Sequence, residues 1–426
     1  MDRLEKALSR IDDPRGEGIR ACLTVYRETA RAAAEAADAR SRAGISLGPL
    51  DGTIVTIKDL FDVAGEVTRA GSRVLADEGQ PARMDAPIVR RLRAAGAVIV
   101  AKTNMTEFAF SGVGLNPHFG SPGNPADRAR VPGGSSSGAA IAVTDEMCEI
   151  TIGTDTGGST RVPAALCGIV GYKPSELRVP TEGAFPLSFS LDSVGPMART
   201  VVECADADAI MAGEVALQLD PAPLHSFRLS IAQGLPLADL DETVSARFAA
   251  ALDRSGKAGV RLGNEKLPIF DEMVRVNAEG SLIGWEAHAI HRDRLKRRGS
   301  DLDPNIRLRI EAASNLPAAG YIDLVQARRA LIRRMDALLV DIDALVMPTT
   351  QSVAPKIADV ATHERFMAAN MRLVRNTSFA NFFNLCSISL PLPREGGLPV
   401  GLMIFARNGQ DRRLFRIAAA IEELLT

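Results

Sequence analysis

Two short serine segments flanked by glycine carry the residue types best suited to covalent chemistry. They are GGSSSG at 133–138 and TGGS at 156–159. Glycine permits positive φ and close backbone approach, and successive backbone N–H groups in such a turn can stabilise a developing oxyanion. The second segment can therefore supply both a nucleophilic hydroxyl, that of Ser159, and hydrogen-bond donors for its reaction. For either segment considered alone, a glycine-serine turn that only closes a strand is the alternative.

A serine nucleophile needs a base, because a free hydroxyl reacts poorly at neutral pH. No histidine of the chain has flanking residues typical of a strand-end catalytic loop; the five are His118, His225, His288, His291 and His363. A lysine kept neutral by burial can serve instead, since desolvation lowers the pKa of an ammonium group. Lys58, at the end of an apolar run, fits that description. Considered alone, Lys58 is also typical of a structural lysine with a buried stem.

Other catalytic patterns are weaker in this sequence. His288 and His291 form an H-x-x-H pair, but no carboxylate or cysteine follows at the spacing of a metal site. The residues 134–138 also satisfy G-x-S-x-G, the nucleophile elbow of α/β-hydrolases, with Ser136 at the centre. That fold needs a later acid and histidine, and the surroundings of His363 indicate a helix start instead. The sequence contains neither S-x-x-K nor a P-loop pattern.

The elements that must position these residues predict an α/β fold. Short apolar runs at 53–57 and 97–101 indicate buried strands, and a helix is predicted between them at 86–95. A further strand at 148–153 leads into the second serine segment. Such an alternation of helices and buried strands is typical of a sheet with both faces covered. Helix-forming residues at 19–43 predict one long helix near the N-terminus.

The rest of the chain predicts one compact domain with an inserted middle region. Arginine-rich amphipathic helices dominate residues 206–340, and strand character returns in 341–426 before a final helix. No internal repeat and no low-complexity linker separates these parts. We therefore expect a single domain over 1–426, with 45–205 as its core.

Composition excludes several classes of function. The chain has 426 residues, a formal net charge of −2 and five scattered cysteines. This charge gives no reason to expect a nucleic acid or membrane partner. The absence of a signal-like N-terminus and of long apolar runs, together with unpaired cysteines, predicts a cytoplasmic protein with reduced thiols.

The motifs together resemble those of the amidase signature family. The segments that carry the resemblance are GGSSSG, GTDTGGSTRVPAALCGIVGYKP at 153–174, IVTIKDLFDVAG at 54–65, AGAVIVAKTNMTEFAFS at 95–111, LDSVGPMART at 191–200, MPTT at 347–350 and GGLPVGLMI at 396–404. The resemblance is strong over 45–205 and weaker over 340–424, while the middle region matches in no detail. It implies an α/β/α amidase domain, with a large mixed β-sheet covered by helices on both faces.

The resemblance also implies a mechanism without metal or organic cofactor. Ser159 would attack the amide carbon and form an acyl-enzyme, and Ser135 would pass protons between Ser159 and the base Lys58. The peptide bond before Ser135 is cis in this family. The oxyanion would be held by the N–H groups of Thr156, Gly157, Gly158 and Ser159.

The residues beside the nucleophile have two possible roles. Asp155 and Arg161 can orient the loop, which we favour, or Arg161 can bind a substrate carboxylate through its bidentate fork. Ser136 is expected to hydrogen-bond backbone groups as support, with contact to substrate as the alternative. Candidate pocket residues are expected within 111–120, 183–190 and 376–387.

The expected reaction is hydrolysis of the C–N bond of a small carboxamide or urea-like amide to a carboxylate and ammonia or an amine. The alternative is the ammonia-releasing subunit of a tRNA-dependent amidotransferase, because glutamine is itself a carboxamide. A catalytically inactive binding module is disfavoured by the joint presence of Lys58, Ser135 and Ser159. The expected partner is the small amide alone, with a homodimer left open.

Overall fold

A computed structural model describes residues 1–394 and 396–425. Within these residues the chain forms eleven strands: β1 Cys22–Val25, β2 Ile54–Lys58, β3 Val98–Thr103, β4 Ile150–Asp155, β5 Val170–Lys173, β6 Ser193–Ala198, β7 Arg228–Gln233, β8 Arg261–Lys266, β9 Ala344–Pro348, β10 Cys386–Pro391 and β11 Gly401–Ala406. It also forms fifteen α-helices: α1 Asp2–Asp12, α2 Gly18–Ala21, α3 Arg27–Arg42, α4 Arg73–Glu78, α5 Pro87–Ala94, α6 Ser137–Thr144, α7 Arg161–Cys167, α8 Val201–Ala212, α9 Glu242–Lys257, α10 Ile269–Val276, α11 Leu282–Arg298, α12 Pro304–Glu311, α13 Ala318–Leu338, α14 His363–Phe382 and α15 Asp411–Leu425.

All eleven strands join one mixed sheet in the order β1-β3-β2-β4-β6-β5-β10-β11-β9-β7-β8. The pairs of β2 with β3 and β4, and of β7 with β8 and β9, are parallel, and the remaining pairs are antiparallel. Most central strands are buried along their whole length, as expected where helices cover both faces. The sheet includes strands from all three predicted parts of the chain, and on this basis we propose one domain.

The parallel pairing of β2 with β4 brings the motif residues to one edge of the sheet. Ile57 pairs with Ile152, so both strands end at the same edge. Lys58 is the last residue of β2, and Asp155 is the last residue of β4. The chain therefore reaches the second serine segment directly beside the predicted base.

The predicted helix over 19–43 is wrong in its continuity. The structure divides that segment into α2 and α3, and β1 between them pairs antiparallel with β3 at the sheet edge. Strand pairing to a distant segment thus overrides local helix propensity. Two short strands that follow the second serine segment, β5 and β6, have no clear apolar pattern in the sequence and were not predicted.

Helix α6 shows why the first serine segment is rigid. Its residues Ser137 to Val143 are all buried, and the helix packs against β2, β3 and β4. A helix that is apolar on all sides must lie inside the protein. Serines 135 and 136, which precede it directly, are consequently held in the interior.

Within residues 1–394 and 396–425, no helix is both long and apolar enough to cross a membrane.

Candidate active site

Lys58 lies at the centre of a buried cluster of hydroxyl groups. Its side chain is completely buried, and Nζ lies 2.8 Å from Ser135 Oγ and 2.9 Å from Thr154 Oγ1. Burial lowers the pKa of Lys58 to about 7, although the carboxylates of Asp155 and Asp192 act in the opposite direction. At neutral pH roughly half of such lysines are uncharged, so the amine can accept a proton.

Ser135 is positioned by the backbone on both sides. The Gly134–Ser135 peptide bond is cis, as the resemblance implied. The Gly134 N–H donates to Gly112 O at 2.8 Å, and the carbonyl of Ser135 accepts from the Thr106 N–H at 3.0 Å. Its hydroxyl is therefore fixed beside Lys58.

Ser159 lies in the loop between β4 and α7, with 8% of the residue exposed. In the part of the chain that the structure describes, its hydroxyl has no hydrogen-bond partner. The contact of Lys58 with Ser135 is thus formed, whereas no hydrogen bond joins Ser135 to Ser159. In a site without substrate, catalytic hydrogen bonds are often long and shorten only in the substrate complex.

The glycines before Ser159 fix the direction of the loop. Thr377 Oγ1 donates to the carbonyl of Gly157 at 2.6 Å, and the Gly158 N–H donates to Asp155 Oδ1 at 2.7 Å. A Cβ on Gly158 would lie 2.1 Å from Thr377 Oγ1, and φ there is +135°, so only glycine fits.

This geometry changes the expected set of oxyanion donors. The N–H of Gly158 is committed to the carboxylate of Asp155, which contradicts its expected role as a free donor. Among residues 1–394 and 396–425, the N–H groups of Gly157 and Ser159 have no acceptor. These two can therefore point to a developing oxyanion, and Thr156 remains a predicted third donor.

Asp155 and Arg161 hold the loop from behind. Both side chains are completely buried and share hydrogen bonds of 2.8 and 3.0 Å. Asp155 also accepts from the N–H of Thr160 at 3.1 Å and from Asn381 Nδ2 at 2.9 Å. Burial opposes its ionisation, but the charge and hydrogen bonds of Arg161 outweigh burial and hold the pKa of Asp155 below its ordinary value.

Arg161 has no group left for a substrate. Besides Asp155, its guanidinium donates to the carbonyl of Thr377 at 2.9 Å and to Asn381 Oδ1 at 2.8 Å. A guanidinium enclosed in this way positions the loop and cannot reach a substrate carboxylate. Of the two expected roles, we therefore propose the orienting one for Arg161.

The weaker catalytic patterns do not converge in space. Ser136 is buried, and its hydroxyl faces the carbonyl of Thr154 at 3.4 Å, whereas His363 is exposed and contacts Asn305. His288 Nδ1 faces the carbonyl of Ile310, while the ring of His291 packs 4.0 Å from that of Phe108. Among residues 1–394 and 396–425, Ser136 therefore has no histidine partner, and no group of histidine, cysteine and acidic residues could hold a metal ion.

A small cavity lies beside these residues. Its volume is about 100 Å³, and its lining includes Thr154, Thr156, residues 184–187 and Phe189. This cavity is smaller than a drug-sized ligand site, and a neighbouring cavity of about 380 Å³ shares Thr181, Phe189 and Asp192 with it. Of the three predicted pocket segments only 183–190 lines it; residues 377 and 381 of the third support the nucleophile loop instead.

Asp192 also lines this cavity and received no role from the sequence. One carboxylate oxygen accepts from Thr156 Oγ1 at 2.6 Å, and the other accepts from the N–H groups of Leu187 and Ser188 at 2.9 and 3.1 Å. Burial raises the pKa of Asp192 to about 6 despite these hydrogen bonds. Its place in LDSVGPMART was the one available signal. Asp192 therefore connects the nucleophile loop to the cavity wall.

Glu286 extends this connection into the middle region of the chain. Buried on α11, its carboxylate accepts hydrogen bonds from the hydroxyls of Ser188 and Ser190 and from the Ser190 N–H at 3.1 Å. The hydroxyl of Tyr321 on α13 donates to it at 2.8 Å. No motif identified this residue, because its partners lie far from it along the chain.

Comparison with known proteins establishes the family of the chain. The family model described as Amidase matches residues 2–415. The chain belongs to this amidase family. A 2-amino-5-chloromuconic acid deaminase of Comamonas testosteroni is 36% identical over 409 residues, which cover 93% of this chain and 86% of that protein.

Two further relatives cover nearly the whole of this amidase family chain. A glutamyl-tRNA(Gln) amidotransferase subunit of Anaeromyxobacter sp. (strain K) is 35% identical, with 99% of this chain and 92% of that protein covered. A solved structure described as an amidase is 32% identical, with a TM-score of 0.89 and coverage of 100% of this chain and 96% of that one. The chain is therefore an amide-hydrolysing enzyme with the α/β fold of the amidase family.

Proposed function

We propose that this enzyme hydrolyses the C–N bond of a small carboxamide through an acyl-enzyme on Ser159. The observation that carries the proposal is the 2.8 Å contact between Ser135 Oγ and the buried amine of Lys58. A lysine with its pKa lowered to about 7 can act as a base where no histidine is present. The cavity of about 100 Å³ favours a short substrate, such as an aliphatic or urea-like amide.

In the first half-reaction, Ser159 Oγ attacks the carbonyl carbon and gives its proton to Ser135 Oγ. Ser135 passes its own proton to Lys58 Nζ, and the oxyanion accepts hydrogen bonds from the N–H groups of Gly157 and Ser159. The C–N bond then breaks, and Lys58 returns a proton through Ser135 to the leaving nitrogen. Ammonia or an amine leaves, and the acyl group remains as an ester of Ser159.

In the second half-reaction, the same groups act on water. Water loses a proton to Ser135 and Lys58 as it attacks the ester carbon, and the proton returns to Ser159 Oγ when the ester bond breaks. A carboxylate is released and the resting enzyme is restored. Asp155 and Arg161 take part in neither step and hold the loop that carries the nucleophile.

The alternative function is that of an ammonia-releasing subunit in a larger assembly. It is favoured by the 35% identity to an amidotransferase component over almost the whole chain. The relative named 2-amino-5-chloromuconic acid deaminase carries no subunit designation, and on this basis we favour a free-standing enzyme. We propose the free-standing enzyme in the cytoplasm, where the five free, buried cysteines remain reduced.

The experiment is ammonia release from a panel of short amides and ureas by the purified chain, combined with labelling by a fluorophosphonate. We expect turnover of at least one amide and a covalent adduct on Ser159 that mass spectrometry locates. The Ser159→Ala variant should lose both, while Ser137→Ala, in the neighbouring serine segment, should keep the adduct. Turnover without any requirement for Ser159 would refute the acyl-enzyme.

A further inference from the structure

Arg309 on α12 is a half-buried cation without a counter-charge. In the part of the chain that the structure describes, its guanidinium makes no hydrogen bond and no ion pair, and Nη1 is fully buried. Burial lowers the pKa of Arg309 to about 10, which still leaves it charged at neutral pH. A buried charge without a partner is costly, so its retention calls for an explanation.

Other buried arginines of the same protein show what a structural role looks like. Arg161 shares two hydrogen bonds with Asp155, and Arg328 donates to the carbonyls of Asn381 and Phe382. On α12 itself, the more exposed Arg307 makes no hydrogen bond through Nε but has a counter-charge, Glu311, at 3.7 Å. Arg309 differs from all three because no acceptor among the described residues approaches it.

The contact of Arg309 with the ring of Phe110 leaves the N–H groups of the guanidinium open. Its guanidinium carbon lies 4.2 Å from the centroid of the Phe110 ring, which is a cation–π distance. Stacking on a ring satisfies the face of the guanidinium, whereas its five N–H donors point outwards in the plane of the group. The planar edge therefore remains available for an acceptor, and a carboxylate matches it bidentately.

Phe110 connects this cation to the active site. Its neighbour Ala109 lines the cavity together with Thr154 and Thr156. On the other side, the carbonyl of Ser111 would lie 2.8 Å from a Cβ at Gly134, in the loop that carries Ser135. Phe110 thus lies in the chain between a residue that lines the cavity and a residue that packs against the loop carrying Ser135.

We propose that Arg309 binds a carboxylate of the substrate, and hence that the substrate is a short amide with a second, anionic end. This inference rests on the proposed amide hydrolysis at Ser159 and adds the class of substrate. Binding of a substrate carboxylate was one of the two roles expected for Arg161. Arg161 is instead enclosed behind the nucleophile loop. Helix α12 belongs to the middle region of the chain, so this region would determine which substrate binds. The core at 45–205 would supply the groups that break the amide bond.

The test compares amides that differ only in the anionic group. Succinamate and glutaramate carry a carboxylate, and 4-oxopentanamide and 5-oxohexanamide are neutral molecules of nearly the same shape. We expect the wild-type enzyme to show a higher kcat/KM for the two anionic amides. In Arg309→Gln this kcat/KM should fall about 10- to 100-fold, the usual size of a lost hydrogen bond to a charged group, with the neutral amides little changed.

Two further variants separate recognition from folding. Arg307→Gln removes a charge from the same helix and should leave the preference unchanged. Arg309→Lys keeps the charge without the bidentate fork, so the preference should be reduced but retained. Equal rates for anionic and neutral amides in the wild-type enzyme, or an equal loss for both in a folded Arg309→Gln variant, would overturn the proposal.

A binding measurement separates this inference from the proposed function. In the Ser159→Ala background, succinate and glutarate should raise the thermal melting temperature, and adding Arg309→Gln should remove that shift. A shift that survives the loss of Arg309 refutes the carboxylate site. Absence of ammonia release and of a Ser159 adduct in the wild-type enzyme refutes the hydrolysis, whatever the binding result.

Discussion

At the scale of single residues, burial determines the chemistry of Lys58. The side chain has no exposed surface, and its amine contacts two hydroxyls rather than a carboxylate. Desolvation therefore lowers its pKa to about 7, while the more distant charges of Asp155 and Asp192 limit the shift. A lysine paired directly with an acid would stay charged and could not accept a proton.

The pH dependence of activity should report this pKa. Below about pH 7 the amine of Lys58 becomes protonated, so kcat/KM should fall about tenfold per pH unit on the acid side. A profile of kcat/KM against pH with a neutral amide measures this limb. A rate that is flat through pH 7 and below would contradict the neutral-lysine base.

The variant Asp192→Asn tests the same pKa of Lys58 by removing one nearby negative charge. The carboxylate of Asp192 raises the pKa of Lys58, so its replacement by an amide should lower that pKa further and move the acid limb to lower pH. The same kcat/KM profile measures the shift. A limb that moves to higher pH in this variant would show that another group is the base.

At the scale of elements, two carboxylates join the cavity wall to its supports. Asp192, which directly precedes β6, connects the nucleophile loop to residues 187 and 188, and Glu286 of α11 holds residues 188 and 190. Residues 184–190, which form this wall of the cavity, are not part of a helix or strand. The geometry of the wall therefore depends on these hydrogen bonds. Helix α11 therefore acts on the site through the wall.

Glu286→Gln should weaken substrate binding more than the chemical step. The amide keeps the shape of the side chain but loses the charge that strengthens several hydrogen bonds to the wall, so KM for short amides should rise about tenfold. We expect a smaller change in kcat, because the Lys58–Ser135 contact lies elsewhere. Steady-state kinetics separate the two constants.

The control for this variant is Glu279→Gln, which changes an exposed residue just before α11. It should leave both constants unchanged. A fall in kcat without a rise in KM in Glu286→Gln would indicate that Glu286 acts on the relay rather than on the wall.

At the scale of the whole molecule, one chain supplies every group that the mechanism uses. The relay and nucleophile come from the signature core, the cavity wall is held by α11 and α13, and the nucleophile loop is supported by α14. All these parts adjoin a single sheet of eleven strands in the described residues. The described residues of one chain thus contain every group of the proposed active site.

The purified chain should therefore release ammonia without any added protein. The specific activity should also stay constant across a dilution series of the purified chain. The molar mass in solution is measured on the same dilutions. Light scattering and an ammonia assay on the same samples measure both quantities. Activity that appears only after a partner protein is added would support the amidotransferase alternative instead.

The sequence by itself determined the parts of the site that are local along the chain. Glycine-rich loops at strand ends, and an apolar run that ends in Lys58, indicated the residues that we propose as base, bridging serine and nucleophile. The strands that carry them were predicted to within a few residues, because short buried strands have a clear apolar pattern.

Only the tertiary structure decided which polar groups are paired and which are free. It gave the Gly158 N–H to Asp155, enclosed Arg161 and left Arg309 without an acceptor among the described residues. It also divided the segment 19–43, because β1 pairs with β3, a strand far along the chain. Burial and hydrogen bonding join residues far apart in the chain, and local propensity contains no information about such partners.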